Sequence, residues 1–180
     1  MLKNKYLLML FAVFMSLSQF VHAQQPQAKA MAKELAIFSD YLGTWESNFA
    51  VSEGQAPVAD VSKWERALNG TALRTLHSIN QGEYGGESLI FFDKSKDSLV
   101  FYYFTTAGFY THGTIEIIDD QTFVAYEDVT GNENGITKVK STSKLLSDKL
   151  MVSTSYLKAG EWTKPQSRTY RRSNKQVVFK

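Results

Sequence analysis

Apolar positions along the chain recur with one period near the start and another after it. Ala28, Met31, Leu35, Phe38 and Leu42 are spaced by alternating steps of three and four, while Lys29, Lys33, Glu34 and Asp40 fall off that stripe. This predicts one amphipathic helix, complete at about residue 42. Gly43 stands just past its end, where a glycine relieves a left-handed cap. From Trp45 onward, segments rich in Val, Ile, Thr, Tyr and Phe predict strands near 44–52, 58–67, 71–79, 87–93, 98–105, 109–118, 122–129, 136–145, 149–157 and 161–171. Between them stand turn-forming residues: Asn69-Gly70, Gly85-Gly86, Lys94 to Asp97, Asp119 to Gln121, Gly131 to Gly135, Ser147-Asp148 and Ala159-Gly160.

About ten short strands joined by short loops make an antiparallel meander, and closing it into a barrel removes its two edges. Some strands alternate cleanly, with Thr137, Val139, Ser141 and Ser143 on one side and Lys138, Lys140 and Thr142 on the other. Others, such as Leu99 to Phe104, are apolar on both faces. The middle of a β-sandwich would carry the same pattern. The expected fold class is all-β: an up-and-down β-barrel of about ten strands with one N-terminal amphipathic helix.

Residues 1–23 read as a signal peptide. Lys3 and Lys5 precede an apolar run from Tyr6 to Met15, and Val21-His22-Ala23 has the form of a cleavage site. The run is shorter than the ~20 residues of a spanning helix. An exported protein, periplasmic or secreted, is expected, without stable membrane insertion. Residues 24–34 then form a spacer and the start of the helix, residues 35–172 the barrel domain, and residues 173–180 a tail. The chain contains no cysteine, so its core must hold without disulfides.

The formal charge of +2 is carried by Lys3 and Lys5, since residues 1–23 contain no Asp or Glu. A mature chain near neutrality offers no electrostatic reason to expect nucleic acid as a partner. The basic stretch from Arg168 to Lys175 reads as a solvated last strand and tail.

A helix followed by Gly43-Thr44-Trp45 at the opening of the first strand resembles the lipocalin-like (calycin) barrels. More narrowly, Leu42 to Trp45, "WERALNGTAL" (Trp64 to Leu73) and "FFDKSKDSLVFYY" from Phe92 resemble a group of bacterial lipocalin-like domains of unassigned function. The resemblance implies that Gly43 allows a tight turn into the first strand. It also implies that Trp45 plugs the closed barrel end and that an arginine of "SRTYRR", Arg168 or Arg171, covers the indole. It supplies no catalytic residues.

Little else points to chemistry. After residue 23 only His77 and His112 remain, with none of the spacings of a zinc site, so no metal is expected. A haem would need only one axial histidine, such as His112, but His112 reads as an ordinary barrel histidine and no cofactor is expected. No serine stands in a G-x-S-x-G elbow. Glu127 and Asp128 are strand neighbours and point to opposite faces; Glu116 and Glu127 would meet only if the register allowed it. "GEYGGES" (Gly82 to Ser88) is followed by a strand, not by the helix a phosphate loop requires, and reads as a hairpin connection at the barrel mouth. Gly113 beside His112 would leave room for a ligand near the backbone.

Aromatic residues make up 13% of the chain, which suits a wall of apolar surface with a few polar handles. The function expected is non-catalytic binding of a small hydrophobic or amphipathic molecule. The ligand-binding candidates are Tyr102, Phe104, His112 and Tyr126, with His77 behind them. Two alternatives stay open: a solid barrel acting as an envelope interaction module, and a barrel hydrolase or isomerase using an inward Glu127 or His112.

Overall fold

The computed structural model describes residues 30–49, 54, 56–130 and 134–180. The signal-peptide assignment, the spacer up to residue 29 with the Ala28 end of the helical stripe, positions 50–52 of the first expected strand and Gly131 to Glu133 of an expected turn lie outside these residues. The strands are β1 (Gly43–Phe49), β2 (Val58–Ala67), β3 (Ala72–Ile79), β4 (Tyr84–Asp93), β5 (Ser98–Thr105), β6 (Tyr110–Asp119), β7 (Thr122–Asp128), β8 (Ile136–Leu145), β9 (Lys149–Lys158), β10 (Glu161–Trp162) and β11 (Gln166–Arg172). Each long strand pairs antiparallel with the next, β11 returns to β1, and β10 is a two-residue extension on β9. Among the described residues, ten strands thus close into an up-and-down barrel. It is a barrel, not a sandwich.

The expected strands differ from the observed ones in two places. β4 begins at Tyr84, so Gly85 and Gly86 are ladder residues opposite Ser78 and His77. The turn falls earlier, at Asn80, Gln81 and Gly82, all with positive φ. The last expected strand is interrupted between β10 and β11 at residues 163–165, where Pro165 has no N–H to donate to a ladder.

The helix is shorter and tighter than its sequence pattern suggests. Lys33–Tyr41 forms a 3₁₀ helix whose buried residues are Leu35, Phe38 and Tyr41. With three residues per turn these side chains eclipse and project together. An α-helix would swing Tyr41 about 120° away from Leu35. Packing decides between the two forms, since Phe38 and Tyr41 both lie within ring-contact distance of Trp64 and Phe123. The buried stripe therefore ends on Tyr41, and Leu42 is only partly buried.

This segment closes one barrel end. The Ala32 amide donates to the Gly70 carbonyl (2.8 Å), and the Tyr41 hydroxyl donates to the Gln121 carbonyl (2.7 Å). Burial pushes the Tyr41 phenol up to about 12. Around the plug, Trp45, Leu73, Ile90, Leu99, Phe101, Ile115, Phe123, Leu150 and Tyr170 complete the core. Gly43 is needed for two reasons: its φ is +113°, and a Cβ there would lie 2.8 Å from the Arg172 guanidinium.

The arginine covering Trp45 is Arg172, whose guanidinium carbon lies 3.7 Å from the ring centroid. This corrects the expectation of Arg168 or Arg171. The register decides it, because Trp45 pairs with Arg172 across β1 and β11. Arg171 points outward to Asp148 (3.1 Å), and Arg168 lies over Phe49 at 3.9 Å. Residues 173–180 contain no strand yet pack along the barrel wall. The Ser173 amide donates to the Thr44 carbonyl, Lys175 pairs with Glu46 (3.0 Å), and the Val178 amide donates to the Ser78 hydroxyl (3.2 Å).

Candidate functional site

Strand register determines which side chains share the barrel interior. Starting from Trp45, the pairs Trp45–Ser62, Ser62–His77, His77–Gly86 and Gly86–Thr105 run around one wall. Because alternate residues face the same way, Asp60 and Ser62 of β2, His77 of β3, Tyr84 and Ser88 of β4, and Tyr103 of β5 face inward. Thr111 of β6, Glu127 of β7, Ser141 of β8 and Thr154 of β9 follow by the same counting.

The interior thus has two halves. Toward the helix it is apolar and fully buried. Toward the other end it is polar and reached by solvent: the inward His77 side chain keeps 26% of its exposure, and Tyr103 and Glu127 are half-buried.

The polar half is a connected network. Asp60, 5% exposed, accepts from the Tyr170 hydroxyl (2.8 Å) through Oδ2, and its Oδ1 faces His77 Nδ1 at 3.5 Å. Oδ1 is buried with no hydrogen-bond partner. His77 Nε2 bonds the Tyr103 hydroxyl (2.7 Å), which reaches on to the Tyr84 hydroxyl (3.3 Å). Burial raises the Tyr103 and Tyr170 phenols well above their ordinary range, with neighbouring Asp60 adding to the shift in both. On the strands that follow β5, the Thr111 hydroxyl donates to Glu127, and the Ser141 and Thr154 hydroxyls bond each other (3.0 Å). Burial raises the Glu127 carboxyl, and the Thr111 hydrogen bond only partly opposes this.

Of the five ligand-binding candidates, only His77 faces this interior. Tyr102, Phe104, His112 and Tyr126 lie on the outer wall, where Tyr102 is 36%, Phe104 52% and Tyr126 37% exposed. The expectation that they line the interior is corrected by the pleat: each is one residue out of phase with an inward neighbour. Outside, they pack on one another. Tyr102 stacks between Phe91 (6.5 Å) and His112 (6.0 Å), Phe104 packs on Tyr110 (6.0 Å), and the Tyr126 hydroxyl donates to Glu116 (3.2 Å).

Two further expectations change with the register. Glu116 pairs with Val124 and points outward, whereas Glu127 pairs with Gly113 and points inward, so the two carboxyls do not meet. The space beside Gly113 is filled by the Phe101 ring, 2.7 Å from where a Cβ would stand. Among the described residues no group of three or more acidic or histidine side chains gathers as a metal-ligand set.

Asp60 and Tyr103 escaped the sequence reading, although a signal for Asp60 was present. Trp64 belongs to the closed end, and counting back by two from it places Ser62 and then Asp60 inside. No such marker exists for Tyr103, since Leu99 to Phe104 is apolar in both phases.

The raised Glu127 carboxyl has a consequence for stability. A carboxyl raised in the fold stabilises the protein below its unfolded value, near 4.5, and loses that contribution as pH rises through the folded value. At neutral pH Glu127 is therefore a cost. Glu127→Gln should raise the melting temperature by a few degrees at neutral pH and leave it unchanged at pH values below about 4. Thermal melts of both proteins at the two pH values check this; an equal gain at both would mean that ionisation is not the cause.

No protein-family model matches the chain, and no curated protein matches it.

Proposed function

We propose that this chain is an exported, non-catalytic binding protein for a small hydrophobic or amphipathic molecule, built on a lipocalin-like barrel. The helix before Gly43-Thr44-Trp45, the arginine over that indole and the closed meander support the lipocalin-like reading. Export rests on the pattern of residues 1–23.

The observation that carries the binding reading is the division of the interior. An apolar floor of Trp45, Leu73, Phe101 and Phe123 lies beneath a solvent-reached wall of Asp60, His77, Tyr103 and Glu127. An amphipathic molecule would bury its apolar part on the floor, at roughly 25 cal/mol per Å² before the costs of association. Its polar end would meet the hydroxyls and carboxyls of the wall.

The test is native mass spectrometry of the protein recovered from its own cell envelope, compared with its denatured mass. A releasable small molecule that accounts for the difference is the expected result. A bare mass, with no change in tryptophan fluorescence on adding fatty acids or haem, would sink the reading. It would move the weight to an envelope interaction module. That second reading is favoured by the outer aromatic band, in which Phe104, Phe109 and Tyr110 are 52%, 42% and 59% exposed.

A further inference from the structure

The polar half of the interior is unbalanced in a way that selects among amphipathic ligands. Asp60 and Glu127 bring two carboxyls inward, and the donors the structure gives them are the neutral hydroxyls of Tyr170 and Thr111. Glu127 enters no ion pair among the described residues; the other ion-paired carboxylates lie on the outside, with Lys or Arg partners. One inward cation, Arg168, lies against the Phe49 ring and beside the Tyr170 hydroxyl. His77 faces Asp60 but stands 3.5 Å from it, and Asp60 Oδ1 stays without a hydrogen bond although it is buried. Burying a carboxylate without a charged or hydrogen-bonding partner is costly. Among the described residues, the interior therefore holds acceptor capacity at Glu127 and Asp60 Oδ1 that no cationic side chain contacts closely.

We propose that the interior receives a molecule whose polar end is a cationic hydrogen-bond donor, such as a primary ammonium group, held by Glu127 with Asp60, Tyr103 and His77 around it. This rests on the binding reading above and names the ligand's chemical class. A cation beside Glu127 favours the ionised carboxylate and offsets its desolvation. A carboxylate head in the same place would put like charge beside Glu127, which disfavours it. The tail is the same in either case, so the discrimination lies wholly in the head group.

Dodecylamine, 1-dodecanol and laurate share one tail and differ in the head, so calorimetric titration of the full chain with each, below micelle formation and at neutral pH, tests the proposal. The amine should bind about tenfold or more tighter than laurate, with the alcohol between them. Glu127→Gln, which should leave the fold intact, should weaken the amine about tenfold while changing the alcohol little. Asp60→Asn, checked for an unchanged thermal melt, should act in the same direction. Laurate binding as tightly as the amine, or an amine affinity indifferent to Glu127→Gln and Asp60→Asn, overturns the cationic head group and leaves the amphiphile reading standing. Failure of all three probes to bind overturns both.

Discussion

Replacing Trp45 with alanine should lower the stability of the barrel by about 3–5 kcal/mol, a large share of the roughly 5–15 kcal/mol that holds a domain together. The indole is 1% exposed, so its whole side chain is lost to a cavity at the closed end. The cavity cannot easily collapse, because Leu35, Phe38 and Tyr41 come from a segment tied to the β2–β3 and β6–β7 connections at Gly70 and Gln121. Two further contacts disappear with the ring. Its Nε1–H donates to the Tyr41 carbonyl (2.8 Å), and Arg172 lies on its face at 3.7 Å. Arg172 also donates to the carbonyls of Leu42 and Asp40 (2.6 Å to the latter), so loss of the indole loosens the hold on the end of the helix. Denaturant melts should show a lower midpoint with an unchanged slope, and a melting temperature lower by on the order of 10 °C. Trp45→Phe should cost less than half as much, since it keeps an aromatic ring in place and loses the indole hydrogen bond. If Trp45→Ala cost no more than Trp45→Phe, the indole would not be the plug.

Gly113→Ala should also destabilise the fold, by about 3 kcal/mol, the upper end of what overpacking costs. The sign is informative, because glycine to alanine in an ordinary strand gains stability. Here an added Cβ would overlap the Tyr126 carbonyl oxygen of β7 and lie 2.7 Å from the Phe101 ring. One obstacle is backbone in a paired strand, and the other is a ring in the core cluster. Neither can swing aside as the end of a long side chain would. Thr114→Ala, one residue on and facing solvent, is the control and should change stability by no more than about 0.5 kcal/mol. Equal melts for the two variants would show that β6 does not pair with β7 as described.

Much of the barrel was legible from local pattern. The windows at 58–67, 98–105, 122–129 and 136–145 coincide with strands within a residue, because β-branched and aromatic runs there are bounded by residues suited to turns. Gly43 and Trp45 were placed at the closed end by the resemblance of Gly43-Thr44-Trp45 to the lipocalin-like barrels, not by local pattern. Where local pattern misled, a long-range contact had intervened. Gly85-Gly86 looks like a turn in isolation, but pairing with β3 and β5 keeps it in the ladder. The helix looks α-helical from Ala28 to Leu42, but its described part winds as 3₁₀ to put Leu35, Phe38 and Tyr41 on one barrel end.

The candidate site was far less legible. Inside and outside can be told apart along a strand only when hydrophobicity differs between its faces. In β8 it does, with Lys138 and Lys140 outward and Val139 and Ser141 inward. In β5 it does not, because the outer Tyr102 and Phe104 bury ring surface against Phe91, His112 and Tyr110 instead of against the core. The interior also reverses the usual signal, since its open half is polar and includes Asp60 and Glu127.

By itself the sequence determined the strand count and the meander order, since each follows from spacing and turn chemistry along a short stretch of chain. Only the tertiary structure decided the phase of each strand, and with it the choice of Arg172 over Arg171 and Arg168, and the turning of Asp60, His77, Tyr103 and Glu127 into the barrel interior. Those choices depend on pairings between residues as far apart as β1 and β11, and a shift of one residue in any of them would have turned a different set of side chains inward.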